Sequence, residues 1–308
     1  VEILTNTEIL VETQEMLSKL NLFSDILTRT RKRDVQTGSS VRSAESYTPP
    51  LYDYEETVYR KLSQFIFEQY QRQYDSLIAR FVLISLQRQI ASSLYAAIQH
   101  YRDRFTESNS DANEDLIDSL SIDDIDFEIG EEIEDKIKTD KYSLFSDINF
   151  RDIIFSIDIE KLRNEDSKYE TFKELLKRKD KVIVFAFFKR SLRYIEERLA
   201  EEGINSTRID GDIPSNPEDP ENDERSNRIE LFRNNPDCKV LLSSKVGSEG
   251  LDFQFCDTII NWDLPWNPMV VEQRIGRIDR LGQKSSKILI FNIVSKGTIE
   301  EFILVRLY

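Results

Sequence analysis

The stretch KVIVFAFFKRSLRYIEERLAEEGINSTRID, residues 181–210, decides the fold class. The apolar run over 181–188 reads as a buried strand, and SLRYIEERLAEEG (191–203) places its apolar residues at helical spacing before stopping at Gly203. STRID then reads as a second strand, ending at Gly211. The alternation continues outward, with ERSNRIELFRNN as a helix and KVLLSS (239–244), DTIINWD (257–263) and KILIFNIV (287–294) as strands. Strands and helices alternating at this spacing imply an α/β fold, a parallel sheet with helices on both faces. In such sheets ligands gather at the carboxyl ends of the strands.

Upstream the pattern changes. From about Tyr54 to Phe105 there is no Gly or Pro, and Leu62, Phe65, Ile66 and then Ile90, Leu94, Ile98 recur three and four apart, which predicts two or more long helices. Residues 1–36 mix apolar periodicity with a basic cluster, Arg29, Arg31, Lys32 and Arg33, and are read as a short helical piece. The polar TGSSVRSAES that follows is read as a loop. The expected division is 1–50, then a helical region 51–145, then an α/β lobe 146–308.

The chain of 308 residues is 39% hydrophobic and 32% charged, enough for about two domains with a sizeable core. Its net charge of −15 argues against nucleic acid only until the charge is mapped. Residues 106–135 hold thirteen Asp and Glu and no Lys or Arg, and are expected to be mobile. A further six acids and no bases fall between Asp212 and Glu224. With the acidity concentrated in two segments, a nucleic-acid surface elsewhere is permitted. Cys238 and Cys256 lie 18 apart and His100 is the sole histidine, so no zinc site or disulfide framework is expected and a reducing, cytoplasmic setting follows. No apolar run approaches 18 residues and no leader is visible, so no membrane partner is expected, and the chain reads as an excised piece.

Two stretches carry chemistry. SSKVGSEGLDF (243–253) is a strand end opening into a loop with Gly247 and Gly250, where backbone N–H groups can approach a phosphate. In QRIGRIDRLGQ (273–283), a helix starting near Pro268 would set Gln273, Arg277 and Arg280 on one face, past Gly276. Two guanidiniums so placed suit a polyphosphate, because each offers forked donors that an ammonium lacks. Taken singly, each feature has a plainer reading: glycines shaping a loop, a solvated arginine face, Trp262 and Trp266 packing a core, and His100 without catalytic duty.

Together with the DLPWNP turn (263–268), these stretches closely resemble the fifth and sixth helicase motifs of superfamily-two ATPases, of the Swi/Snf-type branch and its RapA-like, RNA-polymerase-recycling type. KVIVFAFF resembles the fourth motif, and GTIEEFILVRL (297–307) the helix after the sixth. LFSDILTRTRKRDV (22–35) resembles the end of the first motor lobe, and LQRQIASSLYAAI (86–98) the helical protrusion of such motors. The resemblance implies a RecA-like C-terminal lobe with Arg280 as arginine finger, Arg277 as its partner and Gln273 helping to close the cleft. It implies nucleotide contacts at Gly250 and Asp252, and nucleic-acid contacts at Gly211, Ser243, Ser244, Lys245 and Trp266. Gln273 stands where RNA-unwinding relatives often carry His, which favours the remodelling branch over DEAD-box enzymes, and the resemblance implies duplex DNA as the partner. No G-x-x-x-x-G-K-[ST] occurs, since no Gly precedes Lys, and no acidic Mg²⁺ box appears. ATP and Mg²⁺ are therefore expected to be bound mainly by a first lobe, and this fragment alone is expected to be inactive. A protein complex through the helical protrusion is also expected.

Overall fold

The computed structural model describes residues 40–72, 77–106, 147–216, 223–244, 250–280 and 282–307. The basic cluster 29–33, the acidic stretch beyond Thr106, Lys245 and Gly247 lie outside them. Six strands, β1 (Val41–Tyr47), β2 (Val182–Phe185), β3 (Ser206–Ile209), β4 (Val240–Ser243), β5 (Thr258–Asn261) and β6 (Lys287–Ile293), form one sheet in the order β1-β6-β5-β2-β4-β3. Every pairing is parallel. This is the α/β arrangement expected, and the period of two explains its layering.

The helices in chain order are α1 (Asp53–Arg72), α2 (Leu77–Ser92), α3 (Leu94–Thr106), α4 (Ile148–Ser156), α5 (Ile159–Asn164) and α6 (Ser167–Leu176). They continue with α7 (Lys189–Glu201), α8 (Glu224–Asn234), α9 (Pro268–Ile275) and α10 (Ile299–Leu307). Val182, Val184, Val240 and Leu242 turn to one face of the sheet and pack against Phe172 of α6 and Leu192, Ile195 and Leu199 of α7. Their neighbours Ile183, Phe185 and Leu241 turn to the other, against Phe232 of α8, Ile275 of α9 and Ile303 of α10. Central strands buried on both faces are why β2 reads VIVF without polar alternation. Helix starts follow short polar caps: Asp147, Asp158, Asp166 and Asn267 each accept a backbone N–H of the first turn. Gly203, at φ 71°, ends α7 as its sequence implies.

Two segments depart from expectation. Residues 41–47, read as loop, form β1 and pair with β6 over seven positions, so the sheet begins ahead of the division drawn at 50. β1 is an edge strand whose side chains are mostly exposed, so backbone hydrogen bonds hold it and no apolar period announces it. The helical layer likewise runs past 145: Phe150 and Ile154 of α4 join Leu62, Phe65, Leu86 and Ile98 in one core, with Phe65 stacked on Phe150 at 5.3 Å. Residues from Ser40 onward make one compact unit.

A buried polar seam joins the helical layer to the sheet. Trp262 is fully buried, and its Nε1 donates to the Ser92 carbonyl at 2.9 Å. Lys168 of α6 donates to both Glu300 oxygens at 2.7 and 2.8 Å, with both side chains buried. Glu55 of α1 accepts the N–H groups of Tyr52 at 2.9 Å and Ser167 at 3.2 Å. Burial pushes Glu55 up to about 7, the neighbouring Asp166 adds to the rise, and those N–H groups oppose it. A carboxyl raised on folding binds its proton more tightly in the native state, so its contribution is complete below the unfolded value and falls as pH rises through about 7. Glu55→Gln should therefore flatten the loss of stability above pH ~4.5 and melt at or above wild type at pH ~8. Thermal melts of both proteins across that range check this, and an unchanged pH profile would refute it.

Among the described residues no helix is long and apolar enough to cross a membrane.

Candidate functional site

The residues singled out by sequence fall into two groups. Gly211 follows β3, Ser243 and Ser244 end β4, and Trp266 lies in the turn after β5, all at the carboxyl ends of the strands. Gly211 sits in a turn between Asp210 and Asp212, and these carboxylates are occupied: Asp210 pairs with Arg208, while Asp212 pairs with Lys189 and with Arg193, both at 2.8 Å. The Lys189 hydrogen bond holds Asp212 below the usual carboxylate range. Ser243 is fully buried and its hydroxyl donates to the Ser244 carbonyl at 3.0 Å. Ser244 is also buried, its N–H donating to Ile209. Trp266 is half-buried and meets Phe302 of α10 edge-on, ring centres 6.1 Å apart.

The second group is built by two loops closed on each other. The Phe253 N–H donates to the Arg277 carbonyl at 2.9 Å, tying the segment after Gly250 to the segment after α9. Gly282 lies at φ 101°, a left-handed backbone that favours glycine, and faces the movable end of the Gln254 side chain. Gly250, also left-handed at φ 74°, starts the first loop, and Asp252 turns it by accepting the Gln254 N–H at 3.1 Å. Arg277 and Arg280 project from the second loop, Arg277 half-buried and Arg280 exposed.

The single helical face expected for Gln273, Arg277 and Arg280 is not what forms. α9 starts at Pro268 as read but ends at Ile275, with Gly276 as its cap. Only Gln273, exposed, is on the helix. The two arginines lie beyond it on tight turns, where Ile278 and Asp279 donate to Ile275. The expected obstruction at Gly276 is also internal, since a Cβ there would press on the Glu272 carbonyl of its own helix at 3.2 Å. Arg280 Nε donates to the Gly276 carbonyl at 3.0 Å, so its reach is measured from the helix end.

Among the described residues several arginines of the lobe pair with carboxylates, while others, such as Arg151 and Arg306, meet only aromatic rings. Arg42, Arg163, Arg208, Arg228 and Arg233 each pair with a carboxylate. Among the described residues Arg277 and Arg280 have no such partner. In an acidic chain, two arginines three residues apart on one turn and left without carboxylates make a local positive site suited to the oxygens of a polyphosphate.

Sequence reasoning overlooked the residue beneath them. Arg274, on the inward face of α9, is buried and donates to Asn261 Oδ1 at 2.9 Å and the Asp263 carbonyl at 3.0 Å, with its guanidinium 4.7 Å from the centre of the Phe187 ring. Asp263 accepts the Phe187 N–H at 2.9 Å and the Ser92 hydroxyl at 3.0 Å, so one carboxylate joins the helical layer, the loop after β2 and the turn before α9. An arginine between apolar Val270, Val271 and Ile275 was the available signal. His100, the lone histidine, is buried on α3, and burial pushes it down to about 3. Cys238 and Cys256 are both buried thiols.

Residues 167–282 match the helicase conserved C-terminal domain. That part of the chain is a helicase C-terminal lobe. Its curated relatives include an uncharacterized ATP-dependent helicase YqhH of Bacillus subtilis (strain 168), 40% identical over 145 residues, which are 47% of this chain and 24% of the relative. The RNA polymerase-associated protein RapA of Vibrio campbellii is 40% identical over 110 residues, 35% of this chain and 11% of that protein. Human chromatin-remodeling ATPase INO80 is 32% identical over 127 residues, 41% and 8% of the two chains. The segment is thus similar to parts of an ATP-dependent helicase, an RNA polymerase-associated protein and a chromatin-remodeling ATPase. In fold it is similar to the C-terminal part of the Fun30 ATPase domain, at a TM-score of 0.53 and 20% identity, covering 87% of this chain and 89% of that one. The chain spans about a quarter or less of the length of these three curated relatives.

Proposed function

We propose that this lobe is the second half of an ATP-dependent motor that translocates on, or remodels complexes of, duplex DNA. The observation that carries the reading is the arginine pair on paired loops, without carboxylate partners among the described residues. Arg280 would reach the γ-phosphate of an ATP held by a first lobe and Arg277 would lie beside it, both stabilising charge that grows as the terminal phosphoryl departs. A guanidinium gives that charge fixed, forked donors and needs no proton transfer. Asp252 and Gly250, on the facing loop, would border the nucleotide, and Gln273 would face the cleft. Mg²⁺ is assigned to the first lobe together with the phosphate cradle, since this sequence carries neither a G-x-x-x-x-G-K-[ST] loop nor an acidic Mg²⁺ box. Nucleic acid would lie across the strand ends near Gly211 and Trp266; the burial of Ser243 and Ser244 favours their backbone surroundings over their hydroxyls as the contact. Lys245 keeps its proposed role there. The helical layer would serve as a platform for a partner protein.

Phosphate release by the isolated chain should equal a no-protein control with or without duplex DNA, while the intact protein should be stimulated by duplex DNA. Release by the chain alone would overturn the division of labour. Stimulation by RNA instead of duplex DNA would make it an RNA helicase lobe, and DNA binding with no hydrolysis by the intact protein would make it a binding module.

A further inference from the structure

Arg42 is distant in sequence from the arginine pair but touches the turn that carries it. Its Nε donates to Asp279 Oδ2 at 2.7 Å, and its Nη1 to Glu272 Oε2 at 2.8 Å. Asp279 lies between Arg277 and Arg280, and its side chain is only 4% exposed. One guanidinium therefore grips both the last turn of α9 and the loop after it, a two-point hold that fixes orientation as well as distance. Beside the clamp lies an open groove of about 220 Å³, bordered by Arg42 and Glu272 themselves with Ala44, Pro268 and Leu307. Arg42 itself is placed by β1, whose pairing with β6 puts Arg42 opposite Ile288.

We propose that Arg42 is a positioning residue for Arg277 and Arg280: through Asp279 and Glu272 it holds the turn that aims them. The proposal rests on the reading of that pair as phosphate-facing arginines. Misplacing a reacting group by about 1 Å costs on the order of 100-fold in rate. Because the Asp279 side chain is only 4% exposed, loss of Arg42 also lowers stability, so the signature is a fall in kcat in a protein still folded at the assay temperature, with faster exchange in the turn.

The test uses the intact protein and four variants, Arg42→Ala, Arg42→Lys, Asp279→Asn and Arg280→Ala, measured for DNA-stimulated kcat, ATP KM, thermal midpoint and amide hydrogen exchange over 276–283. Arg42→Ala and Asp279→Asn should each lower kcat about 10- to 100-fold with ATP KM within about twofold, and should speed exchange in the turn. Arg42→Lys, which keeps charge but cannot grip both carboxylates in fork geometry, should fall between and guards against an alanine variant that folds badly. Unchanged exchange in Arg42→Ala and Asp279→Asn would overturn the clamp. Faster exchange with kcat above half of wild type, while Arg280→Ala is inactive, would overturn its positioning role. An Arg280→Ala protein that keeps turnover would instead refute the arginine reading and with it the role given to Arg42, and the exchange data would still report the clamp.

Discussion

Arg280→Ala should abolish the proposed DNA-stimulated ATP turnover of the intact protein while folding and DNA affinity stay close to wild type, the largest effect expected of any single change. Arginines that reach the γ-phosphate across an interface contribute about 10³- to 10⁵-fold in rate, roughly 4 to 7 kcal/mol. In this lobe Arg280 is exposed and its hydrogen bond is to the end of α9, so truncation removes no buried contact. A solvated arginine in that environment would be worth almost nothing to stability. Arg280→Lys should fail as well, since an ammonium keeps the charge and loses the fork. Arg277→Ala should lose activity to a smaller extent. Stimulated ATPase rates beside thermal melts decide the matter, and a folded Arg280→Ala protein with more than about a tenth of wild-type turnover would sink the assignment.

Asp263→Ala should have the largest effect on stability, a loss of about 3 to 5 kcal/mol, because it strips one partner from a buried charged cluster. Asp263 is 3% exposed. Its removal leaves the Phe187 N–H and the Ser92 hydroxyl without that acceptor, and the Arg274 guanidinium, 3.8 Å away, loses the nearby negative charge. Arg274 would keep its bonds to Asn261 and to the backbone at 263, which limits the damage to the electrostatic part. Asp263→Asn retains an acceptor for Phe187 and should cost much less. Chemical denaturation of the two variants, compared at equal m value, reads the difference. A loss under about 1 kcal/mol for Asp263→Ala would show that the cluster is held by packing around it instead.

The mid-chain strands, the helices flanking them and the start of α9 were all legible in order along the chain. Each rests on short-range causes: a period of two or of 3.6, a capping Asn267 before Pro268, a left-handed Gly203. The candidate arginines were legible as well, because their spacing in QRIGRIDRLGQ survives whatever backbone carries it. Their backbone was misread as helix, since the exit at Gly276 depends on how residues 277–283 close against 253–254, and no local period encodes that closure. β1 escaped for a related reason: an edge strand is held by main-chain groups that every residue but proline possesses, so its polar sequence looks like loop. The polar contacts that hold the site were the least legible. Arg42 meets Asp279 across 237 residues and Ser92 meets Asp263 across 171, and a charge written in a sequence carries no address for its partner. Periodicity is a property of the local backbone and can be read from the chain, whereas the pairing of distant polar groups exists only once the packed sheet and helices have brought them within hydrogen-bond reach.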